Sequence, residues 1–182
     1  MQTWIALLRG VNVGGKHILP MKLLTPELEA LGLTDVKTYI QSGNIVFRDS
    51  KKTAAVLAAE IGTTINAKFG FEPHVAVISH KDFASSVTGN PFHDWMTDDN
   101  GKMLHLFFLD RTPPNLDQDR LESLRRSSER WHLKGRVFYL HTPDGFGDSK
   151  LASQVEKILG VNTTARNWRT VCALLDLAGP TA

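Results

Sequence analysis

The sequence predicts an α+β protein built from two halves, residues 1–88 and 89–182, which can share one continuous core. Two observations predict this class. Short apolar runs typical of strands alternate along the chain with longer segments whose apolar residues recur at helical spacing. The composition is that of an ordinary globular protein, with 42% hydrophobic and 22% charged residues among 182. A chain of this length buries roughly 70% of its unfolded surface, so folding requires neither a metal nor a disulfide.

The chain opens with a strand, a glycine-bearing loop and a helix. Thr3–Arg9 is apolar and ends at Gly10, which predicts a buried strand. The loop occupies residues 10–19. Pro20–Leu31 then has apolar residues at helical spacing, and Gly32 ends the predicted helix.

A β-hairpin, a helix and a strand complete the first half. Val36–Gln41 and Ile45–Arg48 predict two strands, joined by a turn of small polar residues at Ser42–Asn44. Lys52–Phe69 predicts a helix, and His74–His80 predicts the returning strand. The resulting order β-α-β-β-α-β is the ferredoxin-like pattern.

The second half is predicted to form a smaller α/β unit. Lys102–Leu109 is apolar on both faces, which is typical of a central strand. Leu116–Arg130 predicts a helix, and Arg136–His141 predicts a second strand. Two terminal helices are expected over Lys150–Leu159 and Arg166–Leu177.

Charge and cysteine content limit the classes of function. The chain has 21 basic and 19 acidic residues, a net charge of +2, which argues against a nucleic-acid coat and a polybasic membrane binder. The single cysteine, Cys172, excludes an internal disulfide and is typical of a reducing compartment. No secretory signal and no apolar run long enough to span a bilayer are found, so we expect a cytoplasmic protein with no membrane partner.

Candidate ligand-binding residues gather at one edge of the predicted first sheet. Right-handed crossovers make the first and second strands parallel, so the loop at residues 10–19 and the turn at Ser42–Asn44 lie at the same edge. No acidic residue precedes Glu27, which makes this edge locally positive. The candidates, which supply charge, close backbone approach or hydrogen bonds, are Arg9, Asn12, Gly14, Gly15, Lys16, Ser42, Gly43 and Asn44. The alternative is that the glycines only form turns and the asparagines cap them.

The same loop resembles a phosphate-binding loop. Residues 10–16 fit the pattern G-x-x-x-x-G-K directly after a strand, where backbone N–H groups and the lysine would hold phosphates. His17, however, stands where a magnesium-ligating serine or threonine is needed, and Pro20 favours a later helix start. The strand order of a ferredoxin-like half also differs from that of a nucleotide hydrolase. We therefore expect a looser anion-binding loop.

The start of the last predicted helix offers a second anion site. Thr163 or Thr164 would cap this helix, and its buried stripe would be Trp168, Val171, Cys172 and Leu175. Arginines near the positive end of a helix dipole are unfavourable, so something negative should offset them. That group is either a ligand or a carboxylate such as Asp144 or Asp148. The candidates of this segment are Arg166, Asn167 and Arg169.

Four segments together resemble a known family. They are Ile5–Lys16, Thr38–Phe47, Asn90–Phe92 and Thr164–Val171, and they resemble the bacterial DUF1697 family. The resemblance implies a bacterial cytoplasmic α+β protein of ferredoxin-like organisation, and it implies no reaction, because the activity of the family is unassigned. The family often has asparagine where this chain has His17.

Other chemistry is weakly indicated. The histidines show neither metal-ligand spacing nor a cysteine partner, and His105 is expected to be a core residue. Nucleic-acid binding is less favoured, because the basic-glycine-aromatic motif expected on a base-stacking sheet is missing. Arginines at helical spacing, Arg125, Arg126 and Arg130, are expected to form a solvated face. The acidic aromatic segment Phe92–Asn100 is either a surface loop or a lid.

The sequence thus predicts binding of a small anionic or phosphate-bearing ligand at the glycine-rich edge. Arg9, Lys16 and Arg166 would neutralise its charge, and Asn12, Asn44 and Asn167 would orient it, if the second half closes over that edge. The alternative is an RNA-binding or protein-interaction module that uses the same positive edge. Nothing in the sequence indicates a cofactor or a reaction.

Overall fold

A computed structural model of the protein describes residues 1–95 and 101–180, and the acidic residues Asp98 and Asp99 lie outside these ranges. The chain divides into two compact units. Unit 1 comprises Met1–Val87 with the chain from Ala173 onward, and unit 2 comprises Thr88–Cys172. The predicted halves differ from these units in the placement of the last residues. In the described ranges, no helix is both long and apolar enough to cross a membrane.

Unit 1 contains a four-stranded sheet in which every neighbouring pair is antiparallel, with the order β2-β3-β1-β4. Its elements are β1 (Gln2–Leu8), α1 (Met21–Ala30), β2 (Thr34–Tyr39), β3 (Asn44–Asp49), α2 (Ala54–Phe69), β4 (Val75–Ser79) and α3 (His80–Thr88). The strands and the first two helices follow the predicted order. Helix α3 was not predicted, although Ser79 and Asp82 form a capping pair at its start: the Asp82 N–H donates to Ser79 Oγ (3.1 Å), and Ser79 Oγ donates to Asp82 Oδ2 (2.7 Å).

The core of unit 1 lies between the sheet and the first two helices. Alternate residues of β1 and β3 face it, and the helices contribute residues at helical spacing. The members with no exposed surface are Ala6, Leu19, Leu24, Leu28, Ile45, Phe47, Leu57, Ile61 and Ile65. Strand β1 is also buried on its other face, through Ile5 and Leu7, as expected for a central strand.

Strand direction brings three connections to one edge of this sheet, which we call the loop edge. Strand β1 ends there at Leu8, which pairs with Val75 at the start of β4. Strand β2 ends there at Tyr39, which pairs with Asn44 at the start of β3. The β1–α1 loop, the β2–β3 turn and the segment before β4 therefore meet at the loop edge, and the first two were predicted to do so.

Unit 2 contains a second four-stranded antiparallel sheet, with the order β6-β7-β5-β8. Its elements are β5 (Leu104–Leu109), α4 (Gln118–Leu124), β6 (Arg130–Lys134), β7 (Val137–His141), α5 (Lys150–Leu159), β8 (Thr163–Asn167) and α6 (Trp168–Ala178), the last of which continues into unit 1. Strand β5 is central, as predicted. Its core residues Phe107 and Leu109 pack with apolar residues of β7 and α5.

The predicted helix Leu116–Arg130 is wrong beyond Leu124. Arg125 is extended, with φ −68° and ψ 131°, and the Arg126 N–H donates to the Glu129 carboxylate (3.0 Å), which closes a turn in place of further helix. Residues from Arg130 onward then alternate between exposed and half-buried and pair with β7 as β6. This alternation is that of a half-buried strand.

The predicted start of the last helix is also wrong. Thr163 and Thr164 do not cap a helix, because they belong to β8 and pair with β5. The cap of α6 is Asn167, whose Oδ1 accepts from the Thr170 N–H (2.9 Å). The buried side chains of α6 are Thr170, Val171, Leu174 and Ala178, whereas Trp168, Cys172 and Leu175 are half-buried.

Candidate functional site

The side chain of Asn12 holds the β1–α1 loop at the loop edge. Asn12 Oδ1 accepts from the Leu19 N–H (2.7 Å), while Nδ2 donates to the carbonyl oxygens of Leu19 (2.8 Å) and Gln41 (2.6 Å). The amide closes the loop on itself and ties it to the β2–β3 turn. Because both N–H groups are used in this way, Asn12 positions the loop and has no donor left to orient a ligand.

A tight hairpin forms the tip of this loop. The Lys16 N–H donates to the Val13 carbonyl (3.1 Å) across Gly14 and Gly15, whose φ angles are 59° and 72°. A two-residue turn with both φ angles positive favours glycine at both positions. The turn explains the glycines and leaves Lys16 exposed beside the tip. Helix α1 begins only at Met21, so the loop does not lead into a helix at Lys16 as a phosphate-binding loop does.

His17 fastens the loop to the segment before β4. Its φ of 49° lies in the left-handed region, where asparagine and histidine are enriched, and its carbonyl accepts from the Asn12 N–H (3.1 Å). The ring stacks on Phe71 with 4.7 Å between centroids, and Nδ1 lies 3.1 Å from the Gly10 carbonyl oxygen. The Arg9 N–H also donates to the His74 carbonyl (2.9 Å). The loop is therefore held from both sides.

The β2–β3 turn packs closely against β1. The Leu8 N–H donates to the Gly43 carbonyl (2.7 Å), and a Cβ at Gly43 would lie 2.6 Å from Leu8 Cβ. Asn44 is fully buried, and its Nδ2 donates to Ser42 Oγ (2.9 Å) and to the Tyr39 carbonyl (3.2 Å). Asn44 therefore stabilises the turn.

Positive charge at the loop edge comes from exposed Arg9 and Lys16 and from Lys22 in the first turn of α1. In the described part of the chain, neither lysine forms an ion pair. The nearest acidic residue along the chain, Glu27, pairs instead with Lys68 at the end of α2 (3.0 Å). Glu72 lies against α2, its Oε1 3.3 Å from the position of a Cβ at Gly62.

Four aliphatic side chains are strongly exposed around this loop, and we call them the apolar patch. They are Val13 (65% exposed), Ile18 (59%), Leu23 (59%) and Ile40 (53%). The patch was not predicted from the sequence. Ile40 was expected inside a strand, whereas β2 ends at Tyr39 and Ile40 has a φ of 48°. The sequence signal that could have revealed the patch was Ile40 itself, an aliphatic residue close to the small polar residues of the predicted turn.

The three side-chain hydrogen bonds of Asn12, which we call the clamp, can be tested by mutation. We expect Asn12→Ala to lower the free energy of unfolding by about 3 kcal/mol, because three hydrogen bonds are lost and alanine tolerates the left-handed backbone poorly. Asn12→Gly, which removes the strain, should still lose about 2 kcal/mol. Urea unfolding measures both, with Asn66→Ala on the exposed face of α2 as control. A loss no larger than that of the control would contradict the clamp.

The remaining predicted site residues belong to unit 2. Arg166 lies on β8 opposite Leu106, and burial lowers its pKa to about 10, which leaves it charged at neutral pH. Asn167 is the cap of α6, and Arg169 is exposed in the first turn of that helix. Asp144, one of the two predicted carboxylate partners, accepts a hydrogen bond from Ser128 Oγ (2.5 Å). A ligand-binding role of Arg166, Asn167 and Arg169 stays a prediction.

A second positive surface lies on the edge strand β6. Arg130, His132 and Lys134 are exposed and share one face of the strand. The other predicted members of a solvated helical face have structural contacts instead: Arg125 bonds to Glu122 (2.8 Å), and Arg126 to the Asp148 carbonyl (2.6 Å). Among the described residues, this surface has no exposed aliphatic cluster beside it.

Unit 2 also has an open cavity of about 230 Å³, lined by Asp110, Arg111, Glu156, Gly160, Val161 and Asn162. Its polar groups pair with their neighbours: Arg111 bonds to the Gly160 carbonyl (3.4 Å), and Glu156 accepts from the Thr163 N–H (2.9 Å). Across the two described ranges, no cluster of three or more histidine, cysteine or acidic side chains could hold a metal ion.

Comparisons with known proteins give a family and a fold. A family described as "Protein of unknown function (DUF1697)" matches residues 1–139. Among solved structures, the chain is similar to a conserved bacterial protein from Streptococcus pneumoniae, with 26% identity, 97% of this chain and 98% of that chain covered, and a TM-score of 0.66. No curated protein matches the chain.

Proposed function

The chain belongs to the DUF1697 family of proteins of unknown function, and from this premise we propose that its loop edge binds an anionic ligand bearing a carboxylate or a phosphate. The observation that carries the proposal is Lys16, an exposed ammonium without an ion pair in the described residues. It lies on a loop that the hydrogen bonds of Asn12 and the stacked ring of His17 hold in place. A pre-organised loop loses little conformational entropy when it binds. Arg9 and Lys22 add positive charge at the same edge.

We also propose a fold classification for unit 1 and a cellular setting for the protein. The element order β-α-β-β-α-β and the strand order β2-β3-β1-β4 support a ferredoxin-like classification of unit 1. A bacterial cytoplasmic setting, expected from the family resemblance and from the single cysteine, stays a prediction.

Thermal unfolding against a ligand panel tests the proposal. The panel contains inorganic phosphate, nucleotides, sugar phosphates, an acidic peptide and short RNA, each at low and at moderate salt. A ligand at 100 times its dissociation constant should stabilise the fold by about 2.7 kcal/mol, a Tm shift of several degrees. We expect Lys16→Glu to abolish this shift.

Lys81→Glu is the matched control. Lys81 is also exposed, but it follows β4, whose end lies at the edge opposite the loop edge, so the shift should survive this substitution. No shift with any ligand, or equal shifts for both variants, would contradict binding at the loop edge. A shift with RNA alone that collapses as salt rises would favour the RNA-binding alternative.

The apolar patch favours a protein partner over a free small ion. A phosphate or a sugar phosphate would engage the cations and leave four aliphatic side chains in water. Protein interfaces, in contrast, combine an apolar centre with a polar rim.

A further inference from the structure

We propose, on the premise of the proposed function, that the anionic ligand is an acidic amphipathic segment of a partner protein. Its apolar face would pack on Val13, Ile18, Leu23 and Ile40, and its carboxylates would face the surrounding cations. Ile40 would be the anchor.

The hydrogen bonds of Asn12 bring together the backbone segments that carry the patch residues. Val13 follows Asn12 directly, and Ile18 precedes Leu19, which is bonded to Asn12 twice. Ile40 precedes Gln41, which is bonded to the same amide. Leu23 lies one helical turn further on, where its N–H donates to the Pro20 carbonyl (2.9 Å).

Ile40 is poorly explained by the fold of this chain. A β-branched residue in the left-handed region is a strained outlier, and Ile40 has a φ of 48° while 53% of its surface remains exposed. Asparagine or glycine would occupy the same backbone conformation with less strain. A side chain that is both strained and exposed is explained if its contacts come from outside the chain.

The surroundings of the patch select the chemistry of the partner. Arg9, Lys16 and Lys22 are the charged residues of the first 26 positions, and none of those positions is acidic. A basic segment would be repelled here, whereas an acidic one gains charge complementarity. Single-stranded RNA is commonly bound through bases stacked on aromatic rings. The patch is aliphatic, and the ring of Phe71 is already stacked by His17.

Selection from a random peptide library identifies the chemistry of the partner from the peptides that bind. The wild-type protein is the bait, the Ile40→Asn variant is the counter-bait, and the selected peptides are titrated by calorimetry. We expect acidic peptides with apolar residues at regular spacing. Their affinity should fall by about tenfold or more in Ile40→Asn, as for an interface anchor.

A second readout separates an anchor from a structural residue. Because asparagine relieves the backbone strain, the Tm of Ile40→Asn should equal or exceed that of the wild type, by up to about 4 °C. Val56→Asn removes an exposed aliphatic side chain from α2 and should leave peptide affinity unchanged. A lower Tm of Ile40→Asn would show that Ile40 serves the fold, and would overturn the proposal.

The remaining outcomes are also decisive. Selection of basic peptides, no enrichment over the counter-bait, or affinity retained in Ile40→Asn would each overturn docking on the patch. If one of these peptide results is found but phosphate or a nucleotide still shifts the Tm in a Lys16-dependent manner, the proposed function stands and only this inference fails. If neither peptide nor small anion responds to Lys16→Glu, both fail.

Discussion

Gly43→Ala is expected to destabilise unit 1 by about 3 kcal/mol or more, through overpacking and backbone strain together. A methyl group at this position would lie 2.6 Å from Leu8 Cβ and 2.7 Å from Val11 Cγ2, closer than carbon atoms approach without a shift. The φ of 73° adds the strain of a left-handed alanine. Urea unfolding monitored by circular dichroism measures the loss.

Gly15→Ala is the control that separates the two causes. Its φ of 72° is almost the same, but no atom lies within 4 Å of its Cβ position. Its free energy of unfolding should therefore fall by only about 1 kcal/mol, the cost of the backbone strain. Equal losses of unfolding free energy for both variants would show that close packing of the β2–β3 turn on β1 does not restrict the residue at position 43.

The second large effect concerns acid stability through His105 in unit 2. Burial lowers the pKa of this histidine from 6.5 to about 4, and its ring stacks on Phe146 with 3.7 Å between centroids. In the described structure, its Nδ1 is buried without a hydrogen-bond partner. The neutral ring is therefore favoured in the folded state.

The direction of the pH dependence of stability follows from proton binding. Between pH 6.5 and 4 the unfolded state binds the proton and the folded state does not, so the stability is complete above about pH 6.5 and is lost as the pH falls toward 4. The free energy of unfolding that this histidine contributes across the whole window is about 3 kcal/mol. His105→Phe keeps the stacked ring and removes the titration, so its stability should fall by about that much less across this window.

Unfolding free energies at a series of pH values compare the two proteins. Burial also lowers the pKa of His141, and the charge of Arg130 lowers it further, so the wild-type slope contains both histidines, and the difference between the proteins isolates His105. The same slope in His105→Phe and wild type would contradict burial of the neutral ring.

The parts of the fold that were predicted correctly have strong local patterns. The apolar β1 strand, the amphipathic helices α1, α2 and α5 and the turn at Ser42–Asn44 are encoded by residues near one another in the chain. The right-handed crossover then brought the loop and the turn to one edge. Strands β6 and β8 were missed because they are short and polar, and their pairing with distant strands decides their structure.

The meeting of the loop and the turn at one edge was predicted correctly, whereas ligand binding there stays a prediction and two of its expected residues have structural contacts. Asn12 and Asn44 were expected to face a ligand, yet their amides meet nearby backbone groups and hold the loop and the turn. Asparagine side chains commonly bond to local backbone, so residue type alone does not separate the two roles. The exposure of Ile40 was not predictable from its alternating pattern, because that pattern continued the strand past its end at Tyr39.

The proposed binding of an acidic partner at the loop edge of unit 1 is tested most directly by mapping it residue by residue. The experiment is a nuclear magnetic resonance titration of the isotope-labelled protein with a selected acidic peptide. We expect amide shift changes to concentrate at residues 9–19 and 40–44 and to disappear in the Lys16→Glu variant. Changes concentrated on the basic face of β6, at Arg130, His132 and Lys134, would place the binding surface elsewhere and contradict the proposal.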